Sequence, residues 1–227
     1  LVGYVIRDLN LDPKRFPPRS VHGTISMAKN ENVGPSQFTE QAEQIFQRKI
    51  GEVYVEYQKR LLQAGAMDFD DLLMRTAQLF REHPDVLASW RHRFGHVLVD
   101  EYQDTNPVQN DLVLQLAEEH RQVTVVGDSD QSVYAFRGAD IRNILEFEEA
   151  FPDATVVVLE QNYRSTQSIL DAANAVIARN VGRKPKELWS DKGSGDKIVR
   201  YHADDESDEA QFVANELAKL HDHDHMR

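Results

Sequence analysis

Two adjacent carboxylates, Asp100 and Glu101, directly follow the short apolar run Val97-Leu98-Val99. An acidic residue at the tip of a buried strand can hold Mg²⁺ through water, because Mg²⁺ prefers oxygen ligands and keeps several of its waters. The neighbouring carboxylate could then orient or deprotonate a water molecule that attacks a phosphate. Asp-Glu pairs also occur at solvated strand ends without a chemical role. These five residues alone leave both interpretations open.

A second polar segment, 127–140, follows another apolar run and combines an amide, two aromatic rings and a guanidinium group. Gln131 could sense a phosphate, because an amide side chain both donates and accepts hydrogen bonds. Tyr134, Phe136 and Arg137 lie within four residues of one another, and exposed aromatic side chains of this kind stack on the bases of single-stranded nucleic acids. The alternative is that the two rings pack on the sheet as core residues, which is the commoner use of aromatic side chains.

A third polar segment, 159–166, contains a tyrosine and an arginine at a predicted strand-to-helix turn. Arg164 suits a phosphate, because its guanidinium group offers a planar fork of donors. Tyr163 offers a flat face on which a base could stack. The alternative is a surface salt bridge for Arg164 and a core position for Tyr163.

The elements that would position these segments are short, β-rich apolar runs at 97–99, 123–126 and 155–159, separated by helical patterns. Residues 198–201 could form a fourth strand. Continuously apolar strands that alternate with helices predict an α/β fold with a parallel sheet covered on both faces. Because ligands bind at the carboxyl ends of the strands in such sheets, three polar segments in these positions predict a shared site.

Helix signals surround these strands. Residues 10–36 are rich in Pro, Asn and Ser and predict a loop with short helical pieces. A long helix is predicted from its cap at Thr39 to its end at Gly65, and Asp68 is predicted to cap the next helix. Asn106 and Pro107 are typical of a helix start. Further helices are predicted up to Trp90, near 140–150, after Ser165 or Thr166 and from Ser207, with breaks at Gly182 and Pro185.

The 227 residues carry a formal net charge of −12, although residues 1–60 hold nine Lys/Arg and seven Asp/Glu. Contact with nucleic acid would therefore need a local basic or aromatic surface. The sequence has no cysteine, which excludes disulfides and thiolate metal sites. It also has no apolar run long enough for a membrane span and no signal-peptide pattern. These features predict a cytoplasmic protein.

Both ends of the chain are expected to lie inside a longer protein, because Leu1 is not an initiator methionine and the last residues show no structured stop. The final run, 221–227, alternates His and Asp. It could bind a metal adventitiously, but a frayed acidic terminus is the expected interpretation.

Taken together, the segments Asp-Glu-Tyr-Gln-Asp-Thr-Asn at 100–106, Gly-Asp-Ser-Asp-Gln-Ser-Val-Tyr-Ala-Phe-Arg-Gly-Ala at 127–139 and Leu-Glu-Gln-Asn-Tyr-Arg-Ser-Thr at 159–166 resemble motifs II, III and IV of superfamily 1 helicases. The chain is most similar to the UvrD/PcrA/Rep branch of 3′→5′ DNA helicases. The similarity extends upstream through Ala-Met-Asp-Phe-Asp-Asp-Leu at 66–72. It is specific over about residues 60–180 and weaker on either side.

The resemblance implies an ATP site and names its residues. Asp100 would ligate Mg²⁺, Glu101 would activate water, and Gln131 would couple the state of the γ-phosphate to the DNA-binding loop. Tyr163 would stack on adenine, and Arg164 would contact the γ-phosphate.

The resemblance also implies contacts with single-stranded DNA. Phe136 would stack on a base, at a position where relatives often carry tryptophan. Tyr134 and Arg137 would support that loop or the DNA itself.

The implied fold is a RecA-like parallel sheet with flanking helices, incomplete here, plus a helical DNA-binding subdomain. Residues 1–66 would form part of that helical insertion, 67–160 part of the first motor domain, and 161–227 the start of the second. The parent protein would be an ATP-dependent 3′→5′ helicase of DNA repair or replication. Its cofactors would be ATP and Mg²⁺, and its partners single-stranded and duplex DNA.

The sequence contains no Gly-x-x-x-x-Gly-Lys-Ser/Thr loop, and the stretch 193–197 lacks its spacing and is predicted to be a turn. Without that loop, the backbone cradle and lysine for the β- and γ-phosphates are missing. The chain alone is therefore expected to show little or no ATPase activity. Three alternatives stay open: a non-enzymatic DNA-binding or interaction module, the motor of a recombination helicase–nuclease subunit, and an unrelated α/β domain.

Overall fold

The computed structural model describes residues 1–181 and 183–222, and it is mostly helical with one small parallel sheet. Its helices are α1 (Val2–Asp8), α2 (Pro18–Asn30), α3 (Pro35–Gln41), α4 (Ile45–Gln63), α5 (Phe69–Glu82), α6 (Pro84–Arg93), α7 (Pro107–Ala117), α8 (Arg142–Leu145), α9 (Phe147–Ala150), α10 (Gln167–Ile177) and α11 (Glu206–Asp222). Its strands are β1 (Val97–Val99) and β2 (Val123–Val125). The predicted α/β class with a parallel sheet is confirmed.

The chain divides into two compact units. The first comprises Leu1–Val157 with Gly182–Lys184, and the second comprises Val158–Val181 with Pro185–Arg227. The domain boundaries proposed from the sequence, after residues 66 and 160, stay predictions. Residues 223–227 of the His/Asp run lie outside the described part of the chain.

The main core of the first unit is formed by helices α1, α2 and α4. Apolar residues at three- and four-residue steps along these helices share one face and meet in the interior. The fully or nearly fully buried members are Val2, Val5, Ile6, Val21, Ile25, Ala28, Ile50, Val53, Tyr54, Tyr57 and Leu61, and Phe16 joins them from the segment between α1 and α2. This core lies entirely within the first 61 residues.

Two of the helix predictions for this region are wrong in detail. The segment predicted as a loop with short helical pieces contains the 13-residue helix α2, which starts at Pro18 because a proline fits the first helical position, where its missing N–H is not needed. The predicted long helix from Thr39 is interrupted, since Ala42 is extended. Helix α4 then starts after Gln44, whose side chain forms a capping box with Gln47.

Other predicted helix ends are confirmed. Asp68 caps α5 by accepting a hydrogen bond from the N–H of Asp71, and Asn106 caps α7 by accepting one from the N–H of Gln109. Gly65, in the left-handed region at φ +60°, follows the last turn of α4. The helical pattern near 140–150 forms two short helices, α8 and α9, instead of one.

The sheet is smaller than predicted. β1 and β2 are parallel, with Val97 opposite Val123 and Val99 opposite Val125. Residues 155–159 and 198–201 are not strands, and no backbone hydrogen bond ties 155–159 to another segment that the structure describes. An extended run becomes a strand only where a neighbouring strand accepts and donates its backbone hydrogen bonds.

The prediction that both faces of the sheet are covered is also wrong for the described residues. Val97 and Val99 are half-buried, whereas Leu98 on the opposite face is 76% exposed, and α7 is the helix that contacts β1. Side chains alternate between the two faces of a strand, so a helix on one face leaves every second residue uncovered.

The second unit contains α10 and α11 and an isolated parallel bridge between Gln161 and Trp189. Thr166 precedes α10 as predicted, although its side chain makes no capping hydrogen bond. The stretch 193–197 is confirmed as a turn region, with Gly193 and Gly195 both in the left-handed conformation. No described helix combines the length and apolar content that crossing a membrane requires.

Candidate functional site

The carboxyl ends of β1 and β2 lie side by side, which brings two of the three predicted polar segments together. The N–H of Val126 donates to the carbonyl of Val99 at 2.8 Å, and the N–H of Tyr102 donates to the carbonyl of Val126 at 2.9 Å. These bonds continue the ladder beyond the strands. As a result, Asp100 and Glu101 leave the sheet beside the Gly127–Asp128 segment.

Asp100 and Glu101 are both exposed at this edge. An oxygen of Asp100 accepts the N–H of Glu101 at 2.9 Å, and Glu101 adopts φ +50° and ψ +43°, a left-handed conformation uncommon outside glycine. No group of three or more His, Cys, Asp or Glu arranged to hold a metal occurs among the described residues. The pair nevertheless fits Mg²⁺, which proteins commonly hold through one or two carboxylates plus waters and substrate phosphates.

Gln103 joins the two strand exits, and no role was predicted for it from the sequence. It is buried, its Nε2 donates to Oε2 of Glu101 at 2.7 Å, and its Oε1 accepts the N–H of Asp128 at 2.9 Å. The usable signal was an amide side chain two residues after Glu101, since an amide can bind an acceptor and a donor at once.

The segment after Glu101 is anchored by buried groups. Tyr102 is fully buried, its hydroxyl hydrogen-bonds the side chain of Asn110, and burial raises its pKa to about 12. The carbonyl of Thr105 accepts the N–H of Asp140 and the Nδ2 of Asn143, each at 2.9 Å. These contacts fix the carboxylate segment, residues 100–105, against residues 140–143, which follow the aromatic loop, the loop that contains Tyr134 and Phe136.

Gln131 lies in a 3₁₀ turn, Ser129–Gln131, directly after the exit of β2. Its N–H donates to the carbonyl of Asp128 at 2.9 Å, and its Nε2 donates to Oδ2 of Asp128 at 2.8 Å. The side chain is exposed and therefore accessible from solvent. Gln131 is thus connected to the Glu101 side of the site through Asp128 and Gln103.

The aromatic loop places two rings at the surface. Phe136 is 74% exposed and Tyr134 39% exposed, and their ring centroids lie 5.9 Å apart at a tilt of 41°. The alternative that both rings are buried in the core does not hold. The loop closes at Gly138, whose φ of +86° favours glycine. The side chain of Arg137 is outside the described part of the structure.

Tyr163 and Arg164 belong to the second unit. Both are exposed, and the Tyr163 hydroxyl donates to Oε1 of Gln161 at 2.9 Å. Oδ1 of Asn162 accepts the N–H groups of Arg164 and Ser165, at 2.9 Å and 2.8 Å, which shapes the turn before α10. The surface salt bridge considered for Arg164 does not form with any described residue.

Two family models match the chain and together cover almost all of it. Residues 2–152 match the UvrD/REP helicase N-terminal domain, and residues 157–227 match the UvrD-like helicase C-terminal domain. The carboxylate pair, Gln131 and the aromatic loop lie in the first match, and Tyr163 and Arg164 lie in the second.

Curated relatives agree with the family models. The ATP-dependent DNA helicase PcrA of Bacillus subtilis is 52% identical over 96% of this chain and 29% of its own length. The ATP-dependent DNA helicase UvrD1 of Mycobacterium bovis is 51% identical over 97% of this chain and 30% of its own length. PcrA of Leuconostoc citreum is 49% identical over the whole chain, again about 30% of that relative. The chain thus spans about three tenths of the relatives that it matches, and it belongs to the UvrD/Rep helicase family.

Proposed function

We propose that this chain is part of an ATP-dependent DNA helicase that moves 3′→5′ along single-stranded DNA and unwinds duplex DNA in repair or replication. The main support for the proposal is that the carboxyl ends of β1 and β2 lie side by side. Asp100 and Glu101 follow β1, and Gln131 and an exposed aromatic pair follow β2. Family membership supports the same function. A cytoplasmic location belongs to the proposal and agrees with the lack of cysteine.

In this proposal, the first unit contributes the catalytic carboxylates. Asp100 would hold Mg²⁺, partly through water, and bound Mg²⁺ would neutralise charge on the phosphates of ATP. Glu101 orients the attacking water and accepts its proton. Gln131 hydrogen-bonds the γ-phosphate. Because its side chain also contacts Asp128, the position of the loop depends on whether the γ-phosphate is bound.

The aromatic loop would contact the single-stranded DNA. Phe136 stacks on a base, with Tyr134 beside it and Arg137 supporting the loop or the phosphate backbone. The ring of Phe136 is 74% exposed, and a base supplies a flat apolar face on which such a ring can stack.

The second unit would supply the remaining nucleotide contacts. Tyr163 stacks on adenine through its exposed ring, and the guanidinium group of Arg164 binds the γ-phosphate through a planar fork of donors. The turn held by Asn162 presents both side chains at the start of α10.

The proposal is tested by Glu101→Gln in the full-length parent protein. Removing the proton acceptor lowers the kcat of DNA-stimulated ATP hydrolysis by about 100-fold or more, because a positioned general base contributes at least that factor. Binding of single-stranded DNA without nucleotide stays unchanged. The control is Glu119→Gln, an exposed glutamate that pairs with Arg91 at 3.2 Å, and it leaves kcat unchanged. A wild-type kcat for Glu101→Gln contradicts the assigned role.

A second candidate function, a single-strand-binding module without catalysis, is favoured by the exposure of Phe136. In this case the 227-residue chain alone binds oligonucleotides, and Phe136→Ala weakens that binding by about 1–3 kcal/mol. The control is Phe94→Ala, because Phe94 is also exposed but precedes the opposite, amino end of β1. Fluorescence anisotropy at two salt concentrations measures both variants. Equal affinities for Phe136→Ala and the wild type contradict the stacking role.

A further inference from the structure

Gln103 is 1% exposed, and both atoms of its amide group are used. Its Nε2 lies 2.7 Å from Oε2 of Glu101 and 3.4 Å from Oδ2 of Asp104, and its Oε1 lies 2.9 Å from the backbone nitrogen of Asp128. The opposite orientation of the amide would place oxygen against a carboxylate and NH₂ against an N–H. The surrounding groups therefore fix which end donates.

On the donor side, Gln103 restrains a side chain that is otherwise solvent-exposed. Glu101 itself has a left-handed backbone conformation where the chain leaves β1. No described group donates a hydrogen bond to its second carboxylate oxygen, Oε1. The bond from Gln103 holds one oxygen and leaves the other available to a water molecule. A base held in one position needs less reorganisation before it accepts a proton.

On the acceptor side, Gln103 packs tightly on the exit of β2. A Cβ at Gly127 would lie 2.6 Å from Oε1 of Gln103, so only glycine allows this approach. Asp128, whose N–H donates to that oxygen, in turn holds the Gln131 side chain at 2.8 Å. The carbonyl of Gln103 also accepts the hydroxyl of Ser132 at 3.4 Å. A continuous chain of contacts therefore joins Glu101 to Gln131.

We propose that Gln103 is a positioning residue that fixes the carboxylate of Glu101 and ties it to the loop carrying Gln131. The proposal rests on the function proposed above. It implies that the water-activating carboxylate and the phosphate-sensing amide keep one relative position only while Gln103 bridges them.

Three variants separate this role from a purely structural one. Gln103→Glu keeps an oxygen that can accept the Asp128 N–H, but it replaces the donor to Glu101 with a second carboxylate oxygen. Gln103→Met has a similar length and forms neither bond. The control is Gln115→Met on α7, since Gln115 is a half-buried glutamine whose side chain donates only to the carbonyl of Ala77, at 3.4 Å.

The first measurement is ATP hydrolysis by the full-length parent protein with saturating single-stranded DNA. Both Gln103 variants lower kcat by about 10-fold or more, because small displacements of a reacting group lower rates steeply. The KM for ATP stays within about twofold, since Gln103 does not touch the nucleotide in this proposal. The Gln115→Met control keeps both values. A wild-type kcat for Gln103→Glu overturns the proposal.

The second measurement needs no nucleotide and uses the 227-residue chain. Hydrogen exchange at the amide of Asp128 becomes at least about fivefold faster in Gln103→Met, because its acceptor is lost, and stays slow in Gln103→Glu. Unchanged exchange in Gln103→Met overturns the tie to the loop. If the parent protein shows no DNA-stimulated ATP hydrolysis, the proposed function and the catalytic part of this inference are both wrong. The hydrogen-exchange result would still show whether Gln103 holds the loop that carries Gln131.

Discussion

At the residue scale, Lys29 is a fully buried charge at which three helices meet. Its Nζ lies 2.6 Å from Oδ2 of Asp68 and 2.9 Å from Oδ1 of Asp71, and the hydroxyl of Tyr57 donates to Asp68 at 2.8 Å. Burial raises the pKa of Asp68, but hydrogen bonds from Lys29, the Asp71 N–H and Tyr57 outweigh it and hold that pKa below its ordinary value. The cation and the two carboxylates are therefore stable only together.

We expect Lys29→Met to destabilise the chain by about 3–5 kcal/mol, because it leaves two carboxylates without their buried cation. Urea unfolding followed by circular dichroism measures the difference. The matched control is Lys49→Met, since Lys49 is an exposed lysine of α4 paired with Glu52 at 2.7 Å, and exposed pairs contribute about 1 kcal/mol or less. A loss for Lys29→Met as small as that of the control would show that the buried network contributes little.

The network of Lys29 and the contact of Gln103 with Asp128 could not be predicted from the sequence, whereas the contact of Gln103 with Glu101 joins residues only two positions apart. Lys29 and Asp68 are 39 residues apart, and Gln103 and Asp128 are 25 residues apart. No spacing rule relates side chains at such separations. Asp100 and Glu101 were identifiable because their context, an apolar run followed by acids, is contiguous in the chain.

At the element scale, the exit of β2 depends on one glycine. A Cβ at Gly127 would lie 2.6 Å from Oε1 of Gln103, 2.8 Å from Cδ1 of Ile144 and 3.1 Å from the nitrogen of Tyr102. Real Cβ atoms essentially never come within 3.0 Å of another heavy atom, and contacts of 3.0–3.4 Å are uncommon. Any larger residue must therefore displace the side chains of Gln103 and Ile144 or the backbone at Tyr102.

We expect Gly127→Ala to lower the free energy of unfolding by about 1–3 kcal/mol, the usual cost of overpacking. The control is Gly95→Ala, because Gly95 precedes the other strand and nothing would lie within 4 Å of its Cβ. That substitution changes stability by about 0.5 kcal/mol or less. Thermal and urea unfolding of the two variants should differ clearly, and equal stabilities would show that the β2 exit adapts without strain.

Elements with local signals were predictable, and elements that need distant partners were not. The caps at Asp68 and Asn106 and the helix end at Gly65 follow from side chains within three or four residues of the backbone groups that they satisfy. By contrast, the apolar run 155–159 has strand composition but forms no strand pairing in the described chain. Strand formation depends on a neighbour, which composition cannot supply.

At the scale of the whole molecule, the candidate nucleotide contacts are divided between the two units, and the sequence has no Gly-x-x-x-x-Gly-Lys-Ser/Thr loop. The chain also spans only about 30% of the length of its relatives. Carboxylates that activate water have little effect unless other groups hold the phosphates.

We therefore expect the 227-residue chain to release no phosphate from ATP above background, with or without single-stranded DNA, because no lysine loop cradles the phosphates. The control is the same chain carrying Glu101→Gln, which reports contaminating ATPases. Hydrolysis by the unaltered chain that exceeds this control would contradict the expectation.

The short parallel pair has a further consequence for the behaviour of the isolated polypeptide in solution. Each of its two strands has one edge that pairs with no other strand among the described residues. Leu98 in β1 and Val126 directly after β2 are exposed. Open edges of this kind invite pairing with another copy. The formal net charge of −12 opposes such association by mutual repulsion, and salt screens that repulsion. The colloidal stability of the chain should therefore fall as ionic strength rises, so that dilute, low-salt buffers keep it monomeric.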